Sequence, residues 1–112
     1  KYRKNIGKFK TDNFYLIKPI KNCVSAYHLL VIIFKSLKKS NEFKDMMQKN
    51  GIAATFHYVP LHKSKMGKKF CNYKLPITEK IYNRVVRLPL YSDITNKEFQ
   101  KILFTFKKFM ID

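Results

Sequence analysis

Apolar positions recur along this chain with two periods, and the changes of period divide it into elements. Tyr2, Ile6 and Phe9 have helical spacing and predict the end of a helix. Phe14 to Ile17 reads as a short edge strand before Pro19. Residues 26–35, AYHLLVIIFK, form a nearly continuous apolar run rich in β-branched residues, as a strand buried on both faces requires. His28 lies inside that run and is expected to be a hydrogen-bonded core histidine, because a buried polar group needs a partner. In the next segment Ser40 is the predicted N-cap, Phe43, Met46 and Met47 make one helical stripe, and Asn50-Gly51 is the stop.

Ile52 to Val59 reads as a second strand, ended by Pro60. Alternation places Ile52, Ala54, Phe56 and Tyr58 on one face and Ala53, Thr55, His57 and Val59 on the other. Leu61 to Leu75 is an irregular, basic excursion. Pro76 and Thr78 then open a helix with Ile77, Ile81 and Val85 on one face. In residues 87–91, RLPLY, the proline argues for an edge strand or a strand end. Residues 95–98, TNKE, match a capping box, and Phe99, Ile102, Leu103, Phe106, Phe109 and Met110 carry a helical stripe to the C-terminus. The order β-α-β-loop-α-β-α predicts an α+β fold, with a small sheet of three or four strands and helices packed on one face. The other face of such a sheet is free to dock on something.

Composition narrows the class. With 112 residues, 46% of them hydrophobic and 15% aromatic, the chain is expected to be one folded domain. No apolar run is long enough to span a bilayer, and the N-terminal KYRKNIGKFK lacks the apolar core of a secretory signal. A start without Met is compatible with a fragment of something longer and equally with a processed terminus. Cys23 and Cys71 fit no metal or redox spacing and read as free thiols of a cytoplasmic protein.

The net charge of +17 points first to nucleic acid. Of the 24 basic residues, however, only Arg3, Arg84 and Arg87 are arginine, the residue favoured for bidentate and stacked contacts. Lysine is spread along the whole chain and reads as solvated surface, with attraction for phosphate-bearing ligands as the competing reading.

His57, Tyr58 and His62 form the one cluster that reads as a site, combining two groups that change charge near neutral pH with a phenol that donates or accepts. The alternative is a core Tyr58, a satisfied surface His57 and a loop His62. No third ligand stands at zinc spacing, and no two of the seven carboxylates make a convincing catalytic pair. Phosphate-binding glycine loops and nucleophile elbows are absent from the sequence. By itself the chain reads as part of an active site.

The motifs NGI at 50–52, HYVPLH at 57–62, LPITE at 75–79 and RLPL at 87–90, in this order and spacing, resemble the C-terminal region of the DegT/DnrJ/StrS sugar-nucleotide aminotransferases. The branch acting on dTDP-4-keto-6-deoxyhexoses is the most similar. The resemblance covers residues 23–110. It implies the small C-terminal domain of a fold-type I pyridoxal-phosphate enzyme over residues 23–112, preceded by a connecting segment, 1–22. It also implies that His57 and Tyr58 contact the hexose or its diphosphate, with His62 as support. Glutamate would be the amino donor, the full enzyme would be a homodimer, and the setting would be surface-polysaccharide biosynthesis. The family's Schiff-base lysine domain has no counterpart here, so the cofactor is expected only in a full-length enzyme and no catalytic residue is assigned. The alternatives from other classes are a basic α+β module that binds nucleic acid or protein, and a structural or dimerising module.

Overall fold

The computed structural model describes residues 1–9, 12–18, 20–56, 58–70 and 73–111. His57 and Cys71 lie outside them. The fold is α+β: helices α1 (Tyr2–Ile6), α2 (Leu37–Lys49), α3 (Gly67–Phe70), α4 (Pro76–Ile81) and α5 (Asn96–Ile111), with strands β1 (Phe14–Leu16), β2 (Leu30–Phe34) and β3 (Val85–Leu88). The strands form one antiparallel sheet in the order β1-β2-β3. Leu30, Ile32 and Phe34 of β2, with Phe14, Val86 and Leu88, face one core, which the apolar stripes of α1, α2 and α5 close from one side.

The expected burial of both faces of β2 is realised in part. Val31 is half-buried, whereas Ile33 is buried on the face away from the core. Register explains this, because Ile33 lies between Tyr15 of β1 and Val85 of β3, and cross-strand neighbours cover it.

Several expectations need correction. The first long strand begins at Leu30, four residues later than its composition indicates. Tyr27 adopts a left-handed backbone, φ 51°, with its N–H donating to Ser25 Oγ, so the chain turns before pairing begins. His28 is therefore an exposed residue before the strand and not a core histidine.

The cap of α2 is Ser36, whose Oγ accepts from Lys39 N–H at 3.2 Å. Ser40 sits a turn inside the helix, fully buried, with its hydroxyl 2.9 Å from Leu37 O and 3.1 Å from Asn83 O. The helix stops where expected. Gly51 takes φ 66°, Ile52 N–H donates to Met47 O and Gly51 N–H to Gln48 O, a Schellman arrangement whose apolar pair, Ile52 and Met47, joins the core.

The second strand is reduced to one bridge, Thr55 to Arg87. Ala54 N–H turns back onto Ile52 O, and Tyr58 has φ 53°, so the backbone cannot keep an extended ladder. Ile52 and Ala54 face the core as alternation requires, but Phe56 and Tyr58 do not follow them. The third strand also shifts, starting at Val85 and ending at Leu88. Pro89 follows it as the expected strand end. At the start of α5, Glu98 Oε2 accepts from Thr95 N–H at 2.8 Å and from Thr95 Oγ1 at 2.7 Å, while Thr95 Oγ1 accepts from Glu98 N–H, completing the capping box. Cys23 is a free, exposed thiol.

Candidate functional site

Tyr58 stands at the rim of a hollow of about 630 Å³, lined among others by Pro60, Leu61, Ile77, Ile81 and Tyr82. Its left-handed backbone swings the ring away from the core, leaving the residue 76% exposed, so the reading of Tyr58 as a core residue is set aside. A second hollow of about 420 Å³, with Phe70 and Leu75 in its wall, shares Pro60, Leu61 and Thr78 with the first. The two hollows make a nearly continuous apolar surface, with phenol groups at its edge.

The excursion after Pro60 is built locally. Leu61–Lys63 forms a 3₁₀ turn. Ser64 Oγ lies 2.8 Å from Leu61 O and accepts from Gly67 N–H at 2.8 Å. A methyl group on Gly67 would collide with the Leu61 carbonyl oxygen, so this is the position where the excursion requires glycine.

Glu79 ties the excursion to α4. Its Oε1 lies 3.3 Å from His62 Nε2 and accepts from Leu75 N–H at 3.2 Å, while its Oε2 pairs with Lys63 Nζ at 3.1 Å. Lys63 also lies over the Tyr82 ring, 5.2 Å from its centroid. The His62 side chain is only 7% exposed. The ring is tied to Glu79 and also lines the second hollow. The sequence singles out no role for Glu79 beyond its place in the LPITE motif. Its distinguishing sign is its place four residues after Leu75, at the opening of a helix, where a side chain reaches back to a free N–H. The contact with His62, 17 residues away, has no sequence signal.

The Lys63 ammonium, followed by the Leu75 N–H, holds the Glu79 carboxyl below its ordinary 4.5. A depressed carboxyl stabilises the fold above its unfolded-state value, and this contribution is lost as pH falls through the folded-state value. The Leu75 amide chemical shift should therefore titrate with a midpoint below 4.5, and E79Q should abolish that titration. A midpoint at or above the ordinary value would contradict the cross-link.

The three predicted site residues thus have different standings. Tyr58 is accessible, His62 is held by Glu79 in the wall of the second hollow, and His57 lies outside the described residues. Among the described residues no group of three histidine, cysteine or acidic side chains could hold a metal ion. Nor do they fit a pyridoxal phosphate site. A Schiff-base lysine needs a desolvated pocket, and every described lysine is exposed or half-buried. This surface can bind and cover. Among the described residues no helix is long and apolar enough to cross a membrane.

The sequence pattern of the DegT/DnrJ/EryC1/StrS aminotransferase family matches residues 1–107. An uncharacterized protein of Methanocaldococcus jannaschii is 28% identical over 120 aligned residues, covering 96% of this chain and 31% of that one. Among solved structures, the aminotransferase TlmJ of Streptoalloteichus hindustanus aligns over 98% of this chain and 29% of its own, with a TM-score of 0.84 at 16% identity. PseC of Helicobacter pylori, an aminotransferase involved in the biosynthesis of pseudoaminic acid, aligns over 98% and 30%, with a TM-score of 0.80 at 20% identity. The sugar aminotransferase CalS13 of Micromonospora echinospora gives 0.80 at 16% identity, over 96% and 27%. At these identities the structural likeness establishes the fold. The chain spans less than a third of each of these relatives.

Proposed function

Because the chain belongs to the DegT/DnrJ/EryC1/StrS aminotransferase family, we propose that it is the C-terminal domain of a longer, pyridoxal-phosphate-dependent sugar-nucleotide aminotransferase. The observation that carries this reading is the family match across residues 1–107. In the full protein the substrate would be a keto-deoxyhexose nucleotide and the amino donor glutamate. The enzyme would act as a cytoplasmic homodimer in surface-polysaccharide biosynthesis. Residues 23–112 would form the small domain and residues 1–22 the connection to it.

The chain's own part is binding. Tyr58, at the rim of the larger hollow, would donate its phenolic proton to a sugar hydroxyl or a diphosphate oxygen, with His57 beside it in sequence. His62 would act at one remove, fixing the turn that follows Tyr58 through Glu79. The exposed apolar side chains of Leu61, Phe70 and Ile77 would be covered by the remainder of the longer protein, which would also exclude water from the sugar. The remainder of the longer protein would also hold the pyridoxal phosphate, whose chemistry is that of an electron sink for nitrogen transfer.

The test compares the product of the intact gene, purified from its source cells, with residues 1–112 alone. Each is given pyridoxal phosphate, glutamate and a keto-deoxyhexose nucleotide. The intact product should form the amino sugar, and the 112-residue chain should not. Stoichiometric capture of the cofactor by the chain alone, read by intact mass after borohydride reduction, would overturn the division of labour. In the intact product, Y58F should raise KM for the sugar nucleotide by about tenfold, the loss of one hydrogen bond to a charged group. Unchanged KM would remove Tyr58 from the site.

A further inference from the structure

Helix α5 spends one side on the core and leaves the other to solvent. Phe99, Ile102, Thr105 and Phe106 are buried. Along the opposite side Lys97, Lys101, Phe104, Lys108 and Ile111 recur every three or four residues, and each is exposed. Phe104 and Ile111 stand two turns apart on this stripe, about 10 Å along the axis, with Lys108 between them. No carboxylate interrupts it. Glu98 is turned back to Thr95 in the cap. Among the described residues no carboxylate pairs with the lysines of the stripe. Helix α2, packed beside α5, carries four lysines against Glu42 and Asp45, and Lys38 and Lys39 already hold Glu42.

A lone exposed phenylalanine needs no explanation. Two large apolar side chains set into a stripe of unpaired lysines match a surface that is anionic outside and hydrocarbon beneath. The lysine stems can lie along the hydrocarbon while their ammonium groups stay among the headgroups. A nucleic acid fits this face less well. It offers no arginine for bidentate contacts, and Ile111 has no ring to stack on a base. The inner side of α5 stays in the core, so contact with a bilayer is shallow and begins with charge. Among the described residues α5 lines neither hollow beside Tyr58, so docking through it leaves that surface free.

We propose that the outer face of α5 is a docking surface for an anionic lipid bilayer, with its lysines on the headgroups and Phe104 and Ile111 inserted at the acyl boundary. The helix lies along the membrane surface and does not cross it. Such docking holds the protein at a bilayer by a face separate from the candidate sugar site.

The experiment is co-sedimentation of the full chain with vesicles of phosphatidylcholine alone and of phosphatidylcholine mixed with phosphatidylglycerol. The chain should bind the mixed vesicles, bind them less as salt is raised, and leave phosphatidylcholine alone in solution. F104A/I111A should weaken binding about tenfold through lost apolar contact. K97Q/K108Q should weaken it about twentyfold. L61A/F70A, in the walls of the hollows, should leave it unchanged. Equal binding to both vesicles, or binding that F104A/I111A leaves intact, would overturn the surface in favour of diffuse charge or general stickiness. Loss with L61A/F70A alone would overturn it in favour of the hollows. A single-stranded oligonucleotide that binds more tightly than the mixed vesicles, and through Phe104, would overturn it in favour of nucleic acid. The α5 substitutions sit at exposed positions and should keep the parent's urea midpoint. If one pair does not, the other decides. The readout needs neither cofactor nor turnover, so failure here leaves the aminotransferase reading standing, and failure of transamination leaves this surface standing.

Discussion

Replacing Phe106 by alanine should cost about 3–5 kcal/mol of unfolding free energy. Phe106 is fully buried on α5, and its ring packs against Phe9, Phe14 and Phe43 at centroid distances of 5.6, 5.4 and 5.6 Å. Those partners come from the segment after α1, from β1 and from α2, so one side chain joins the N-terminal segment, the sheet edge and the long helix. The hole left by its removal is bounded by other rings, which are too stiff to close it. A domain of this size has a total stability of about 5–15 kcal/mol, so the substitution consumes a large share of it. Urea unfolding followed by tyrosine fluorescence reads this as a fall in midpoint with the slope unchanged. F104A is the internal control. Phe104 lies on the same helix and is 71% exposed, so its removal should change stability by less than about 0.5 kcal/mol. Equal effects of the two substitutions would show that α5 packs on a different face.

Gly67→Ala is the second large effect, and it is local to the candidate site. The backbone of Gly67 is not left-handed, so conformation does not forbid alanine there. Crowding does, since the added methyl would occupy the Leu61 carbonyl oxygen. The obstacle is backbone, which cannot rotate aside as a flexible side chain would. The turn must open, parting Ser64 Oγ from Gly67 N–H and Lys68 N–H from Ser64 O. Overpacking of this kind costs about 1–3 kcal/mol. Hydrogen exchange at the amides of Gly67 and Lys68 should accelerate, while the amides of β2 should follow only the global loss of stability. Exchange at Gly67 and Lys68 unchanged from the parent chain would mean that the excursion tolerates the methyl and is looser than its geometry implies.

The sequence was most legible where one short-range rule decides an element. Helix α5 carries both a capping box and an apolar stripe, and its Phe99, Ile102 and Phe106 are buried as that stripe requires. The stop of α2 at Asn50-Gly51 follows from the single residue type that accepts φ 66° at no steric cost. Two serines four residues apart, Ser36 and Ser40, can each cap a helix. Only the end of β2 at Phe34 decides between them, and that end is set by pairing with β1 and β3. The segment 52–59 has the composition of a strand, but the left-handed Tyr58 and the early turn at Ala54 belong to tertiary packing and leave no trace in alternation.

For the candidate site, local pattern brings out Tyr58 and the strand end at Pro60. The role of Glu79 is hidden because its partners, His62, Lys63 and Leu75, converge only after α4 folds back over the excursion. His28 was misread for a related reason. An apolar run marks residues that prefer a sheet without marking where pairing starts, and Tyr27 ends the extended backbone before the first ladder bond.

Among the described residues, one bridge, Thr55 to Arg87, pairs the outer side of β3, leaving most of that edge without a ladder. Such an edge is a template onto which another copy of the chain can add a strand, the first step toward fibrous aggregation. Pro89, lacking an N–H, blunts the far end of that template. The remaining protection is collective, because a net charge of +17 on 112 residues keeps copies apart before their edges meet. Added salt shortens the reach of that repulsion to roughly 10 Å at 0.1 M. The colloidal stability of the chain should therefore fall as ionic strength rises, with the dispersed lysines acting as its guard against self-templating.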